Sequence, residues 1–160
     1  MESLTDVFEH TLQDIYYAEQ ALTKAIPKAQ KAANHPELKA ALTAHLSETK
    51  GHVKTLQQVF GTLGKDAAGE QCPAIDGLIA ETERVLDEAS DDALDAALIG
   101  CCQAIEHYEI SRYGSLREWA KVLGNTQAHD LLSSILDQEK AANHKLTHLA
   151  VSAVNATAGA

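Results

Sequence analysis

Aromatic residues are scarce in this chain: two Phe, four Tyr and one Trp make up 4% of its 160 positions. Proline occurs three times, glycine nine times and cysteine three times. Sheet proteins draw on aromatic and β-branched residues, so this composition, with alanine abundant, points to helix. Three cysteines, two of them adjacent (Cys101 and Cys102), give no disulfide framework and fit a reducing compartment, the cytosol. No apolar run approaches the roughly 18 residues that mark a bilayer span. The opening Met1-Glu2-Ser3-Leu4 lacks the basic and then apolar pattern of a secretory signal. A cytoplasmic location with no membrane partner is therefore expected. Basic residues are outnumbered 13 to 23, for a net charge of −10. Such a surface repels phosphate backbones, so a nucleic-acid partner is also not expected. What remains, 45% hydrophobic and 22% charged residues, is the balance of a folded globular chain. Its length fits one domain over residues 1–160, with a small-residue tail from about Asn155 to Ala160 expected to fray.

Apolar residues recur every three or four positions, which is helical spacing. A first helix is predicted from Ser3 or Thr5 to about Ala33 on Phe8, Leu12, Ile15, Leu22 and Ile26, with Pro27 as a kink. Asn34-His35-Pro36 breaks it and restarts the chain with proline in a first turn. The second helix carries Leu38, Leu42, Leu56, Val59 and Leu63 and stops at Gly64; its roughly 27 residues span about 40 Å. A loop through Gly64, Gly69 and Pro73 leads to a short helix over about 74–89. Ser90-Asp91-Asp92 reads as the cap and acidic first turn of a fourth helix reaching about Leu123, closed by Gly124. Asn125-Thr126 caps a fifth, which carries Leu132, Ile135, Leu136, Leu146 and Leu149. Two long hairpins joined by a connection of about 25 residues give an all-α, ferritin-like four-helix bundle with a long crossover containing an additional short helix. An up-down bundle with an extra helix is the other arrangement these lengths allow.

Each long helix places a glutamate where its stripe calls for a hydrophobe. Glu19 interrupts the series 8, 12, 15, 22, 26. His45, Glu48 and His52 lie between Leu42 and Leu56. Glu106, Glu109 and Tyr113 share an arc with Leu98, Cys102 and Ile105, and Glu139 falls between Ile135 and Leu146, with Asn143 one turn on. Ionised carboxylates gathered in a dry core repel one another and lose hydration. Protonation, buried cationic side chains or metal ions can offset this. The arcs bring few cations inward: Arg112 and Arg117 sit on a flank and no lysine faces the core. Two divalent ions bring four positive charges against five glutamates, so a dinuclear site is the simplest answer. Oxygen donors with at most an imidazole or two suit iron or manganese better than structural zinc. Glu106 and Glu109, three apart, share one helix face. The usual Glu-x-x-His spacing of di-iron bundles is missing after Glu48 and Glu139, where His52 and Asn143 stand four residues on.

Asp14-Ile15-Tyr16-Tyr17-Ala18-Glu19, His45-Leu46-Ser47-Glu48-Thr49-Lys50-Gly51, Glu106-His107-Tyr108-Glu109-Ile110 with Tyr113-Gly114, and Asp137-Gln138-Glu139-Lys140 resemble the YciF-like family, bacterial ferritin-like proteins linked to stress responses. The resemblance covers nearly the whole chain, including Cys72 to Leu78. It implies a ferritin-like bundle, usually a homodimer, with a rubrerythrin-like carboxylate centre, and no settled reaction. Carried over by position, Glu19, Glu48, Glu106, Glu109 and Glu139 are its metal glutamates. The family tends to have an acidic residue in place of Asn143 and glutamine in place of His52. The first difference weakens a sixth oxygen ligand, and the second offers an imidazole. No Cys-x-x-Cys pair for a one-iron module is present.

His52 is thus open between metal ligand and half-exposed bundle residue. His45 is expected to orient a ligand, as are Tyr16, Tyr113 and Asn143, although the tyrosines equally suit plain core filling. The first functional reading is a di-iron protein, or one with manganese or a mixed pair, that meets a small oxidant (peroxide or dioxygen) as an oxidase or peroxidase in a stress response. The second is a non-catalytic dimeric helical bundle, a structural or interaction protein. Iron storage is a weaker third, because nothing in the chain specifies a hollow shell.

Overall fold

A computed structural model describes residues 1–158. Its main helices are α1 (Leu4–Ala32), α2 (Pro36–Thr62), α3 (Pro73–Glu88), α4 (Asp91–Val122) and α5 (Thr126–Leu149). A π-helical turn, Ala150–Val154, and a last short helix, α6 (Asn155–Ala158), follow, so the tail expected to fray from Asn155 is helical to Ala158. Residues 159 and 160 lie outside the described residues.

Local chemistry sets most of these limits. Ser3 and Asp6 form a reciprocal capping box at the start of α1. Asn125 caps α5 by accepting from the Ala128 N–H at 3.0 Å. The cap of α2 is an imidazole: His35 Nδ1 accepts from the Glu37 N–H ahead of Pro36. Ser90 occupies the cap position of α4 without a side-chain bond to it. The ends of α2 and α4 are alike. Gly64 and Gly124 adopt φ of 68° and 73°. The next residue's N–H then reaches back to Phe60 O or Ala120 O, closing each helix in a Schellman motif. The first helix runs through Pro27, which faces solvent.

The neighbour relations place the four long helices in the cyclic order α1, α2, α5, α4, with α3 laid outside on α1 and α4. Side-chain bonds fix the directions. At one end Lys65 meets Glu9, and Asn125 Nδ2 donates to Thr62 Oγ1. At the other, the buried Asp95 carboxylate near the start of α4 accepts from the backbone N–H groups of Asn34 and His35 at 2.8 and 2.6 Å. Between them α3 climbs parallel to α1, since Tyr17 bonds Asp76 and Lys28 bonds Glu83. The crossover therefore carries the chain the length of the bundle, and α2 and α4 run parallel. This is the four-helix bundle with a long helical crossover expected from the sequence; α3 is why the connection is so long.

Candidate metal centre

The core is apolar along most of its length, from Phe8, Leu12 and Ile15 of α1 to Leu132 and Ile135 of α5, all at most 1% exposed. The exception lies near mid-length, where every long helix contributes a polar group. Glu19 is fully buried, Glu109 and Glu139 are 1% exposed, and Glu106 and His52 are 2% exposed. The helical repeat brings this about. Glu19 follows Ile15 by four residues, His52 precedes Leu56 by four, and Glu139 follows Ile135 by four, so each continues an apolar stripe into the same layer.

The donors form two groups that share Glu139. One holds Glu19, His52 and Glu139; the other holds His45, Glu106, Glu109 and Glu139. Within each, one donor atom per residue lies within 4.8 Å of the rest. In the first, His52 Nδ1 stands 3.0 Å from Glu139 Oε1 and 3.2 Å from Glu19 Oε1, but meets neither at a hydrogen-bonding angle. On the ring's far side Nε2 is 2.8 Å from Gln138 Oε1. An amide oxygen only accepts, so Nε2 carries a proton, and in the neutral ring Nδ1 turns its lone pair toward the carboxylates. The Tyr113 hydroxyl donates to Glu19 Oε1. In the second group His45 Nε2 is 3.4 Å from Glu106 Oε1.

Eight buried side-chain atoms of the described residues have no hydrogen-bond partner, and all belong to this layer. They are both oxygens of Glu109 and of Glu139, Oε2 of Glu19 and of Glu106, and Nδ1 of His45 and of His52. A native core leaves few such atoms, and each unmet one costs about 1–3 kcal/mol. Titration follows from the same crowding. Burial, then the Glu139 charge, pushes Glu106 up to about 10. Burial and the neighbouring carboxylates raise Glu109 well above the carboxylate range, and burial raises Glu19. Burial alone would lower His52, but the Glu139 and Glu19 carboxylates outweigh it and raise the ring to about 11. His45 is lowered, because burial outweighs the Glu139 and Glu48 charges that would raise it. Without added cations, these groups share protons.

The donor chemistry fits a pair of divalent cations. Four carboxylates and two imidazoles converge, and their unmet atoms face one another. Thiolates are missing from the set: burial and the Glu106 charge hold the adjacent Cys102 thiol up at about 12. Oxygen with imidazole is the donor set of iron and manganese.

Of the residues singled out from sequence, Glu19, Glu106, Glu109, Glu139 and His52 come together. Three do not. Glu48 belongs to neither group; its side chain is 42% exposed and its Oε2 is 3.8 Å from His45 Nδ1. The position four residues beyond Glu48, on the next turn, faces the centre, so His52 takes the inward place. Tyr16 accepts from Gln57 Nε2 at 3.1 Å and packs edge-on to Phe60. Asn143 accepts from Gln103 Nε2 at 3.2 Å. The tyrosine that holds a carboxylate is Tyr113. His45, expected to orient ligands, itself belongs to a donor group. Gln138, which orients His52, was missed; its place before Glu139 was the only available signal.

A family described as a domain of unknown function (DUF892) matches residues 3–159. The chain belongs to this family. Protein YciF of Escherichia coli strain K12 is 40% identical over 157 residues, which is 97% of this chain and 95% of YciF. The crystal structure of the same E. coli stress protein superposes with a TM-score of 0.92, covering 97% of this chain and 99% of that one. YcfI of Rhodopseudomonas palustris, proposed to be a structural protein, is 47% identical with a TM-score of 0.88, covering 91% of this chain and 94% of YcfI. A protein of Xanthomonas campestris pv. campestris, 21% identical with a TM-score of 0.76, shares the fold. The YciF-like resemblance read from the motifs thus holds over nearly the whole chain. No helix among the described residues is long and apolar enough to cross a membrane.

Proposed function

We propose that this chain is a ferritin-like di-metal carboxylate protein, with iron as its metal and manganese or a mixed pair as the alternatives. The observation that carries the proposal is the set of eight unpartnered buried donor atoms confined to one layer. Glu19 and His52 would hold one ion, and His45, Glu106 and Glu109 the other, with Glu139 serving both. An iron pair supplies electron exchange with a small oxidant, dioxygen or a peroxide. The chain's own part is positional. Tyr113 pins one oxygen of Glu19, Gln138 fixes the tautomer of His52, and the apolar layers on either side keep water out. His45, whose side chain is 12% exposed, is the donor nearest solvent and can pass a proton at its ring nitrogen. By likeness to the E. coli stress protein, the setting is a stress response; the cytoplasmic location follows from the reading of the sequence and the homodimer from the YciF-like resemblance.

The test is elemental analysis of protein produced with iron or manganese, beside Glu109→Gln. Two ions per wild-type chain and a loss of at least one in the variant are expected. Metal-free wild type after loading would overturn the reading. A second reading, a structural or interaction protein without turnover, is favoured by the description of YcfI and by the departure from Glu-x-x-His spacing. Oxidation of the loaded protein by dioxygen or peroxide separates the two.

A further inference from the structure

An apolar cleft leads from the surface to the donor layer. Its walls come from Leu22 and Ile26 of α1, Leu42 of α2, Leu146 of α5, and Ile79 and Leu86 of α3, which roofs it. Its inner end is formed by His45 and Glu106, and Lys28, Glu83 and Lys145 stand among its polar lining. The roof is shallowly seated: Ile75 is the single buried residue of α3, and Lys28 Nζ ties the helix to α1 through Glu83 at 2.5 Å. The cleft is open to solvent, and the space within and in front of it is about 730 Å³.

Two properties select its occupant. The lining is mostly aliphatic, which an alkyl chain matches by close contact. Apart from His45, Glu106, Lys28, Glu83 and Lys145, the lining side chains are aliphatic except for Cys102 and Thr82, whose hydroxyl donates to Leu78 O. The outer rim carries cations on an otherwise acidic protein. Lys28 is paired with Glu83, whereas Lys145 is exposed and makes no ion pair or side-chain hydrogen bond with a described residue.

We propose that the cleft binds a straight-chain monocarboxylate, its tail under α3 with the free end at Glu106 and His45, and its carboxylate at Lys145. The inference rests on the di-metal reading only for what the tail meets at the inner end; the cleft itself does not depend on metal.

Titration calorimetry of metal-free and metal-loaded protein with butanoate, hexanoate, octanoate and decanoate tests it. One saturable site is expected, with affinity rising by up to about fourfold per added methylene. Ala25→Trp, which fills the cleft from α1, should weaken octanoate at least tenfold. Lys145→Gln should abolish the preference for octanoate over 1-octanol. Methyl resonances of Leu42 and Leu146 should move on octanoate addition in the wild type, a check that needs no variant. No chain-length dependence, or shifts confined to methyls away from the cleft, would overturn the proposal. Octanoate binding in a chain that never takes up metal would refute the di-metal reading and leave the cleft standing; metal uptake without octanoate binding would do the reverse.

Discussion

Two neighbouring stretches of one bundle are equally dry and differ in what burial demands of them. Leu12, Ile15, Leu56, Leu116, Leu132 and Ile135 are at most 1% exposed, and so are Glu19, Glu109 and Glu139. On α1, α4 and α5 the first set lies one or two turns from the second. Apolar side chains need only close contact, and the bundle supplies it. The carboxylates need charge compensation, and the bundle supplies a tyrosine hydroxyl, two imidazoles and little else. The helices that make the apolar layers stable therefore also force the donor layer into a state that protons or cations must complete.

The largest effect expected from breaking this comparison lies in the apolar layer. Leu12→Ala should cost about 2–5 kcal/mol of unfolding free energy. Denaturant unfolding with and without chelator should give the same loss, because that cavity does not touch the donors. Next comes the metal. At a free ion concentration a hundred times Kd, the loaded protein should gain about 2.7 kcal/mol over the chelated one, and Glu109→Gln should remove most of that increment. Equal melting with and without chelator would mean the donor layer is completed by protons alone.

The sign of the pH dependence sharpens the contrast. Glu106 is raised from 4.5 to about 10 and His52 from 6.5 to about 11. Between pH 7 and 9 the folded metal-free protein holds these protons while the unfolded chain has released them. Raising the pH through this window should therefore destabilise the metal-free form. His45, shifted the other way, acts below pH 6.5 and does not interfere. Metal binding needs deprotonated ligands, so the metal increment should grow over the same window. Thermal melting at pH 7 and 9 in both forms reads the two slopes. The smallest effect belongs to Glu48: Glu48→Gln should leave metal content unchanged and shift stability by no more than about 0.5 kcal/mol.

Much of the fold was legible because apolar spacing, prolines and capping residues all agree. Pro36, Gly64, Gly124 and Asn125 place their helix ends to within a residue or two. The crossover's length announced that the hairpins are not joined directly, but its path up the α1–α4 side depends on tertiary bonds such as Tyr17 to Asp76. Within the site, stripe-breaking glutamates could be read wherever one face is clearly apolar, as around Glu19 and Glu139. The α2 arc was ambiguous, because His45, Glu48 and His52 all lie near one face. A rotation of part of a turn decides which of them is inward, and the packing of α2 between α1 and α5 sets that rotation. Gln138 was beyond reach, since its role depends on where His52 points.

The most direct test is anomalous diffraction at the iron edge from crystals of iron-loaded protein. Two iron peaks inside the bundle, one beside Glu19 and His52, one beside Glu106 and Glu109, with Glu139 reaching both, are the predicted result. No iron peak among these residues, with the carboxylates bonded to one another through protons, would contradict the account.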